Sequence, residues 1–248
     1  MKYSILMVIH EHVELTRTCV ASIRQFSKAG EYELLIFDNA STDGTREFLR
    51  QELEQHLDTR VFFNGKNAGF MTPMNYLAKQ AQGRYLVVMN NDLKVCPGWL
   101  DRMESVFAGK PKMALVGLKQ NCGEIGHDGS GLPVRNRLEY VEASCMMVPR
   151  AIVEVHGLFD DAYFYFGYYE DSDLSLRLRE RGFEIAVVDL PIVHRRGSTM
   201  NRLKIDLNKI KARNAARFRH RWAHYLKTRS FEKRVLFRRS VAVGDVIM

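Results

Sequence analysis

The stretch YLVVMNND, from Tyr85 to Asp92, is a run of five apolar residues that ends in two amides and a carboxylate. A continuous apolar run of this length predicts a strand buried on both faces, as in a parallel sheet covered by helices. Mg²⁺ and Mn²⁺ prefer hard oxygen ligands such as carboxylates and phosphates. The polar end of the strand therefore predicts either a metal site, with Asp92 as a ligand, or an ordinary polar turn.

Strands and helices alternate on both sides of this stretch. Apolar runs predict strands at residues 4–9, 34–37 and 61–63 before it, and at 113–117, 141–148 and 185–188 after it. Helices are predicted at 13–28, 43–57 and 72–83. A further helix is predicted to begin at 149, and another to end at 182. Thr42 or Asp43 is the expected N-cap of the second helix, and Thr72 that of the third. The alternation indicates an α/β fold with a mainly parallel sheet flanked by helices.

Two acidic positions fall at one edge of this predicted sheet. Ligands of such sheets bind beyond the carboxyl ends of the strands, and both Asp38 and Asp92 directly follow a predicted strand. Asp38 would there accept hydrogen bonds from a nucleoside base or ribose, or it belongs to a plain turn before a helix. Asn67, in the sequence Asn-Ala-Gly, gives a weaker signal because Asn and Gly suit any tight turn.

A third acidic group follows an aromatic segment at residues 163–169, which ends in Tyr168 and Tyr169. The next residues include Glu170, Asp171 and Asp173, and acidic groups at the start of a helix are favoured by the helix dipole alone. A carboxylate beside an aromatic wall would also be desolvated and basic enough to act as a general base. His194 follows the last predicted strand, where it is either structural or completes a metal–phosphate site.

The composition narrows the class of protein. The chain has 248 residues and a net charge of +8, with no apolar run near the roughly 20 residues that span a bilayer and no signal-peptide pattern. Its four scattered cysteines indicate reduced thiols in a cytoplasmic protein. Neither a phosphate-loop lysine motif nor GxGxxG is present.

Positive charge is concentrated at the C-terminal end. From Arg195 onward there are sixteen lysines and arginines against three acidic residues, so the rest of the chain is acidic overall. Residues 203–226 predict a basic amphipathic helix, which either packs on the body of the protein or lies on an anionic membrane surface. No motif for nucleic-acid recognition accompanies the charge, so no nucleic-acid partner is expected.

Taken in order, several segments resemble the family-2 inverting glycosyltransferases of the GT-A fold, especially the bacterial rhamnosyltransferase-like group. They are SILMVI…ELTRTCVASI, FDNASTDGT, NAGFMTPMN, GRYLVVMNND, GLFDDAYFYFGYYEDSDLSLRLRERGF, VHRRGS and ARN, within about residues 3–220. The sequence differs from the family pattern at Ile9–His12, where Thr-Tyr-Asn is usual, and at Asn90, where the metal motif usually has Asp. The resemblance implies a catalytic domain at 1–200 and a basic helical extension at 201–248.

The resemblance also implies a role for each candidate residue. Asp171 would be the general base. Asp92 and His194 would bind Mn²⁺ or Mg²⁺, whereas Asp38, Asn67 and Asn90 would contact the nucleotide, and Glu170, Asp173, Tyr168 and Tyr169 would shape the acceptor site. The donor would be a UDP- or dTDP-sugar, and the acceptor a saccharide hydroxyl, lipid-linked at the inner face of the cytoplasmic membrane, in the synthesis of cell-surface polysaccharide. A catalytically silent sugar-nucleotide or glycan-binding module and a nucleotidyltransferase remain the alternatives.

Overall fold

A computed structural model describes residues 1–118, 134–135, 140–194 and 206–228. The strands are β1 (Tyr3–Ile9), β2 (Tyr32–Asn39), β3 (Thr59–Asn64), β4 (Tyr85–Met89), β5 (Leu93–Val95), β6 (Met113–Leu118), β7 (Val134–Arg135), β8 (Cys145–Pro149), β9 (Glu184–Val188) and β10 (Ile192–His194). The helices are α1 (Val13–Phe26), α2 (Thr45–Gln55), α3 (Met71–Gln80), α4 (Trp99–Ser105), α5 (Arg150–His156), α6 (Glu170–Glu180), α7 (Leu207–Arg221) and α8 (Ala223–Thr228). None of these described helices is long and apolar enough to cross a membrane.

The strands form a mainly parallel sheet, as the sequence predicts. Its order is β3-β2-β1-β4-β8-β6-β9-β7, in which β3, β2, β1 and β4 are mutually parallel and β8 runs antiparallel to both of its neighbours. Separately, β5 and β10 pair as a small antiparallel ribbon. The carboxyl ends of β1, β2 and β4 therefore lie along one rim of the main sheet.

The strand β4 is buried on both faces, which confirms the interpretation of its apolar run. Tyr85, Val87 and Met89 belong to the hydrophobic core on one side of the sheet, while Leu86 and Val88 belong to the core on the other side. Helix α1 contributes Cys19, Val20 and Ile23 to the first core, whereas α3 contributes Met71, Met74 and Leu77 to the second. This double burial is why the strand has no polar residue until it reaches the rim.

Several predicted element ends are wrong. The N-cap of helix α2 is Gly44, whose φ of 90° suits glycine, rather than Thr42 or Asp43. Asp43 lies one residue earlier, where its Oδ1 atom still accepts from the amide of Thr45 at 3.3 Å, and Thr42 bonds Glu11 instead. Helix α3 begins after Phe70, so Thr72 lies inside the helix rather than at its cap. The strand predicted at 141–148 starts only at Cys145. At α2 the helix start coincides with the glycine conformation of Gly44, and at α3 with the hydrogen bond from the amide of Phe70 to the carbonyl of Phe166.

The first part of the basic C-terminal helix packs on the body of the protein. Helix α7 buries Ile210, Asn214, Ala215 and Phe218, and Trp222 follows it into the same core. Most of the loop predicted at 121–137, the domain boundary at residue 200 and the chain beyond residue 228 lie outside the described residues.

Candidate active site

The rim at the end of β4 brings Asp92 and His194 together. Strand β10 pairs with β5 so that His194 lies opposite Leu93, the residue after Asp92. The Nε2 atom of His194 is 3.3 Å from Oδ1 of Asp92. The sequence indicates both residues as candidates for a metal site, but it does not predict the ribbon of β5 and β10, because three-residue strands carry no usable periodicity.

The Asp92 carboxylate is suited to bind a cation. It is 8% exposed, and its Oδ1 atom is buried with no hydrogen-bond partner, since the contact with His194 lacks hydrogen-bond geometry. Burying a carboxylate oxygen without a donor is costly, and a divalent cation would remove that cost. The described residues contain no group of three or more His, Cys, Asp and Glu able to hold a metal. Two protein ligands agree with a Mg²⁺ or Mn²⁺ site completed by substrate phosphates and water.

The two asparagines before Asp92 hold the end of β4 in place. The backbone amide of Asn90 donates a 2.9 Å hydrogen bond to the carbonyl of Ser144. The side chain of Asn91 is buried and donates to the hydroxyl of Thr16 at 2.9 Å. Asn91 thus has a structural role, while the side chain of Asn90 remains partly exposed at the rim.

Asp38 lies at the same rim, but both oxygens of its carboxylate already accept hydrogen bonds from other residues of the chain. Parallel pairing places it opposite Ile9, at the end of β1. Its side chain is fully buried, with Oδ1 accepting from the amide of Ser41 at 3.2 Å and Oδ2 from Nε of Arg46 at 2.7 Å. No sequence pattern indicates Arg46 as a site residue. Any contact of Asp38 with a base would therefore involve Arg46 as well.

Asn39, the residue after Asp38, orders the loop that contains Asn67. Its side-chain amide donates to Oδ1 of Asn67 at 2.9 Å and to the carbonyl of Gly69 at 2.7 Å. Its Oδ1 atom accepts from the amide of Ala68 at 2.8 Å. The sequence alone does not reveal this role, because an asparagine at the end of a strand resembles any turn residue.

The loop after β1, where the family pattern differs, is joined to the loop after β2. Glu11 Oε1 accepts from both the amide and the hydroxyl of Thr42, each at 2.9 Å. Nδ1 of His10 is 2.8 Å from the carbonyl oxygen of Asn39, and both Glu11 and His12 have positive φ, at 62° and 64°. The unusual sequence thus makes its own specific contacts at the rim.

Asp171 lies in the first turn of helix α6, in a buried environment. It is 1% exposed, and its carboxylate accepts from the amide of Ser172 at 2.6 Å and from the amide of Ala143 at 3.4 Å. Ala143 immediately precedes Ser144, the residue that accepts from Asn90. Asp171 is thus hydrogen-bonded to Ala143, and Asn90, at the end of β4, is hydrogen-bonded to the next residue, Ser144. This arrangement places Asp171 on the same rim as Asp92.

The aromatic residues next to Asp171 mostly pack inward. Tyr168 and Tyr169 are 8% and 6% exposed, and the ring of Tyr169 lies 5.2 Å from that of Phe218 on α7. Glu170 is buried as well. Tyr165 is 52% exposed and is the aromatic residue of this segment most available to a ligand.

The carboxylate of Asp173 joins α6 to the C-terminal helix. It is fully buried, and it accepts from Nε of Arg177 at 2.8 Å, from a terminal nitrogen of Arg221 at 3.1 Å and from Nε1 of Trp222 at 3.0 Å. These three donors occupy both of its oxygens. The structure therefore gives Asp173 a packing role between α6 and α7, and its place in the acceptor site stays a prediction.

Comparison with known proteins agrees with this geometry. The sequence profile of Glycosyl transferase family 2 matches residues 4–156, more than half of the chain. The chain is 30% identical over 215 residues to the O-antigen biosynthesis protein RfbC of Myxococcus xanthus, covering 74% of this chain and 16% of that protein. It is 35% identical over 63 residues, 25% of each chain, to a putative teichuronic acid biosynthesis glycosyltransferase, TuaG, of Bacillus subtilis. The chain thus spans only a small part of the curated relatives it matches.

Solved structures show the same fold. The mannosyltransferase PcManGT of Pyrobaculum calidifontis, in complex with GDP-Man and Mn²⁺, superimposes with a TM-score of 0.65 at 16% identity, covering 96% of this chain and 69% of that one. S. aureus TarS in complex with UDP-GlcNAc gives a TM-score of 0.63 at 16% identity, covering 88% and 65%. These structures share the fold of this chain, and the matched profile over more than half of its length shows that the chain belongs to glycosyltransferase family 2.

Proposed function

We propose that this chain transfers a sugar from a nucleotide-diphosphate sugar to a hydroxyl group of a saccharide, with inversion at the anomeric carbon. The observation that carries the proposal is the buried Oδ1 atom of Asp92, which accepts no hydrogen bond and lies 3.3 Å from Nε2 of His194. Asp171 accepts a hydrogen bond from Ala143, and the neighbouring Ser144 accepts one from Asn90 at the end of β4. A cation-binding carboxylate and a second, separately held carboxylate on one rim are what a single displacement needs.

In the proposed reaction, Asp171 removes the proton from the acceptor hydroxyl as its oxygen attacks the anomeric carbon. The new carbon–oxygen bond forms while the bond from that carbon to the β-phosphate oxygen breaks, and the nucleoside diphosphate leaves with its electron pair. Asp92 and His194 would hold Mn²⁺ or Mg²⁺, which when bound neutralises charge on the leaving phosphate. The hydrogen bonds to Asp171 from Ser172 and Ala143 fix its position, so the base points in one direction.

We propose UDP or dTDP as the nucleotide of the donor. Asp38 together with Arg46 would contact the base, and Asn67 and Asn90 would contact the nucleoside from the same rim. The solved relatives are described with different donors, GDP-Man for PcManGT and UDP-GlcNAc for TarS. The choice of base therefore needs a direct binding test.

The acceptor is proposed to be a growing cell-surface polysaccharide. Support comes from the names of the relatives, an O-antigen biosynthesis protein and a teichuronic acid glycosyltransferase. Glu170, Tyr168 and Tyr169 remain candidates on the acceptor side, although their burial means that they would shape the site rather than stack openly on a sugar.

Thermal denaturation with a nucleotide panel tests the donor proposal. UDP, dTDP and GDP are each added with Mn²⁺ or with EDTA, because a ligand that binds only the folded state raises the melting temperature. We expect UDP or dTDP to stabilise the protein in a metal-dependent way. Stabilisation by GDP alone would mean that the donor carries guanine rather than uracil or thymine. No stabilisation by any nucleotide would contradict the proposal.

Analysis of the reaction products then distinguishes the proposed glycosyltransferase from a catalytically silent binding module and from a nucleotidyltransferase. UDP-glucose, UDP-N-acetylglucosamine, dTDP-rhamnose and GDP-mannose are incubated with the protein and Mn²⁺, and the products are identified. Asp171→Asn should abolish release of nucleoside diphosphate while leaving nucleotide binding intact, since Asn keeps the shape but cannot take a proton. Binding without turnover in the wild type would favour a silent module, and pyrophosphate as product would favour a nucleotidyltransferase.

We further propose that the protein acts at the cytoplasmic face of the membrane through its basic C-terminal end. The apolar side chains of α7 are already buried against the body, so the lipid contact is assigned to the chain after residue 228. Sedimentation with vesicles containing about one third phosphatidylglycerol tests this point, because each Lys or Arg near an anionic surface adds about 1 kcal/mol. A truncation after residue 228 should stay in the supernatant. Equal sedimentation of both proteins would contradict the assignment.

A further inference from the structure

Asn214 on helix α7 holds the aromatic segment, residues 163–169, through its backbone. Asn214 is fully buried. Its side-chain amide donates to the carbonyls of Tyr165 at 2.8 Å, Gly167 at 2.6 Å and Tyr168 at 3.4 Å, and its Oδ1 accepts from the amide of Tyr165 at 3.3 Å. One side chain from a distant helix therefore supplies donors to three carbonyls within four consecutive residues.

The backbone held in this way is in an unfavourable conformation. Phe166, Tyr168 and Tyr169 have φ values of 69°, 73° and 69°, a region that bulky residues rarely occupy. Such conformations persist only where the surroundings over-determine them, and they cluster at functional sites. Here the surroundings are Asn214 on one side and Phe70 on the other, whose amide donates to the carbonyl of Phe166.

The strained segment leads directly into the proposed base. Tyr169 is the N-cap residue of α6, and Asp171 is the second residue of that helix. The direction in which α6 starts is thus set by the φ and ψ angles of Tyr168 and Tyr169. The carbonyls of Tyr165, Gly167 and Tyr168, next to or within the positive-φ residues, accept their hydrogen bonds from Asn214.

We propose that Asn214 is a positioning residue for Asp171, acting through the aromatic segment. The inference rests on the proposed function, because it assigns Asn214 to the acceptor half of that site. An asparagine is required here since its amide supplies two hydrogens and its oxygen accepts one, whereas aspartate would place lone pairs against three carbonyls. The loss of these hydrogen bonds should change the chemical step and leave nucleotide binding unaffected, because the hydrogen bonds of Asn214 go to the aromatic segment and not to Asp38, Asn67 or Asn90.

The test compares two variants with a control on the same helix. Asn214→Asp keeps the size of the side chain and removes the donors, and Asn214→Ala removes the side chain without adding charge. Asp206→Ala is the control, because Asp206 caps α7 by accepting from the amide of Lys209 and has no contact with the aromatic segment among the described residues. Circular dichroism and melting temperature establish which variants fold.

Hydrogen exchange followed by mass spectrometry reports on the segment itself and needs no substrate. We expect peptides covering 163–169 to exchange about tenfold faster in both Asn214 variants, as local opening becomes easier, and to be unchanged in Asp206→Ala. Unchanged exchange in a folded Asn214 variant would overturn the proposal. If neither Asn214 variant folds while Asp206→Ala does, the residue is structural and the proposal is also overturned.

Kinetics then separate positioning from general destabilisation. For the nucleotide sugar that the wild type turns over, kcat should fall by about a hundredfold in the Asn214 variants, the size expected for a misplaced catalytic group. The Kd for UDP with Mn²⁺ should stay within about threefold of the wild type. A parallel loss of UDP binding, or the same loss of kcat in Asp206→Ala, would overturn the inference. A wild type that turns over no donor would instead contradict the proposed function. The hydrogen-exchange experiment would still test whether Asn214 holds the aromatic segment, because it needs no substrate.

Discussion

The backbone amide of Phe70 donates a 2.6 Å hydrogen bond to the carbonyl of Phe166. This bond joins the loop after β3, which contains Asn67, to the aromatic segment that precedes Asp171. At the neighbouring Gly69, where φ is 80°, an added Cβ atom would lie 2.5 Å from the carbonyl oxygen of Phe166. The proposed donor and acceptor sides of the site are therefore in direct backbone contact, and only glycine fits at the point of closest approach.

Gly69→Ala is expected to separate these two backbones. The substitution combines an unfavourable φ with a contact shorter than normal non-bonded carbon–oxygen distances, so it should lower the free energy of unfolding by about 1–3 kcal/mol. Urea denaturation measures the change. Gly65→Ala is the matched control in the same loop, because Gly65 has no atom within 4 Å of the added Cβ and no positive φ. Similar losses in both variants would contradict this account.

Asp92→Asn is expected to abolish the metal-dependent part of nucleotide binding. With Mn²⁺, stabilisation of the wild type by UDP should exceed that seen with EDTA, and in the variant the two should coincide, because an amide oxygen is a weaker ligand than a carboxylate. Without metal the variant should be at least as stable as the wild type, since the buried Oδ1 atom of Asp92 accepts no hydrogen bond and has only the 3.3 Å contact with His194 to offset its burial. Thermal denaturation measures both effects.

The control for this experiment is Asp101→Asn, which changes an exposed carboxylate on α4. It should retain the full difference between Mn²⁺ and EDTA. Metal-dependent stabilisation that survives in Asp92→Asn would remove Asp92 from the metal site.

Asp173→Ala is expected to reduce stability rather than to act on the acceptor. It would leave Arg177 and Arg221 without their buried carboxylate and Trp222 without its acceptor. Breaking a buried ion pair of this kind costs about 3–5 kcal/mol. Chemical denaturation should show this loss, while Asp161→Ala, at an exposed acidic residue of the preceding segment, should be nearly neutral. A fully stable Asp173→Ala protein that has lost turnover would restore the acceptor role predicted from the sequence.

The sequence predicts the sheet well because its strands are long and buried on both faces. The run from Tyr85 to Met89 is apolar without interruption, and the structure places all five residues in the two cores. The polar residues after each strand also follow from the sequence, since the carboxyl ends of parallel strands share one edge. The pattern of strands and polar residues is therefore sufficient to assign Asp38 and Asp92 to the same rim.

The contacts that decide the role of each side chain do not follow from the sequence in the same way. Asp171 and Asp173 are two positions apart at the start of one helix, yet one bonds Ala143 and the other bonds Arg221 and Trp222. These partners come from distant parts of the chain and leave no local pattern. Asn214 belongs to the short ARN segment, but its hydrogen bonds to the aromatic segment depend on how α7 packs.

The buried cysteines are expected to be chemically inert. Burial raises the pKa of Cys145 to about 12 and also raises the pKa of Cys19, where the nearby charge of Asp92 adds to the effect. Because the thiolate is the reactive form, iodoacetamide at about pH 7.5 should label neither residue in the native protein. Among the three cysteines in the described part of the chain, Cys96 is the half-buried one and should be labelled first. Peptide mass spectrometry before and after denaturation in urea measures this, and native labelling of Cys145 at the rate of Cys96 would contradict it.

Asp43 is expected to stabilise the rim in a pH-dependent way. Burial alone would raise its pKa, but hydrogen bonds from the Thr45 hydroxyl and from the amides of Val13 and Thr45 outweigh burial and hold the pKa below its ordinary value of 3.8. Since the folded-state pKa is the lower one, the carboxylate contributes stability above pH 3.8 that is lost as the pH falls through the folded-state value. Asp43→Asn should therefore be less stable than the wild type at about pH 7, and the difference should shrink toward about pH 2. Urea denaturation series at several pH values measure this difference, with Glu47→Gln, at an exposed acidic residue on α2, as the matched control. A difference between Asp43→Asn and the wild type that stays constant down to the acid limit would mean that the carboxylate charge does not hold the loops after β1 and β2 together.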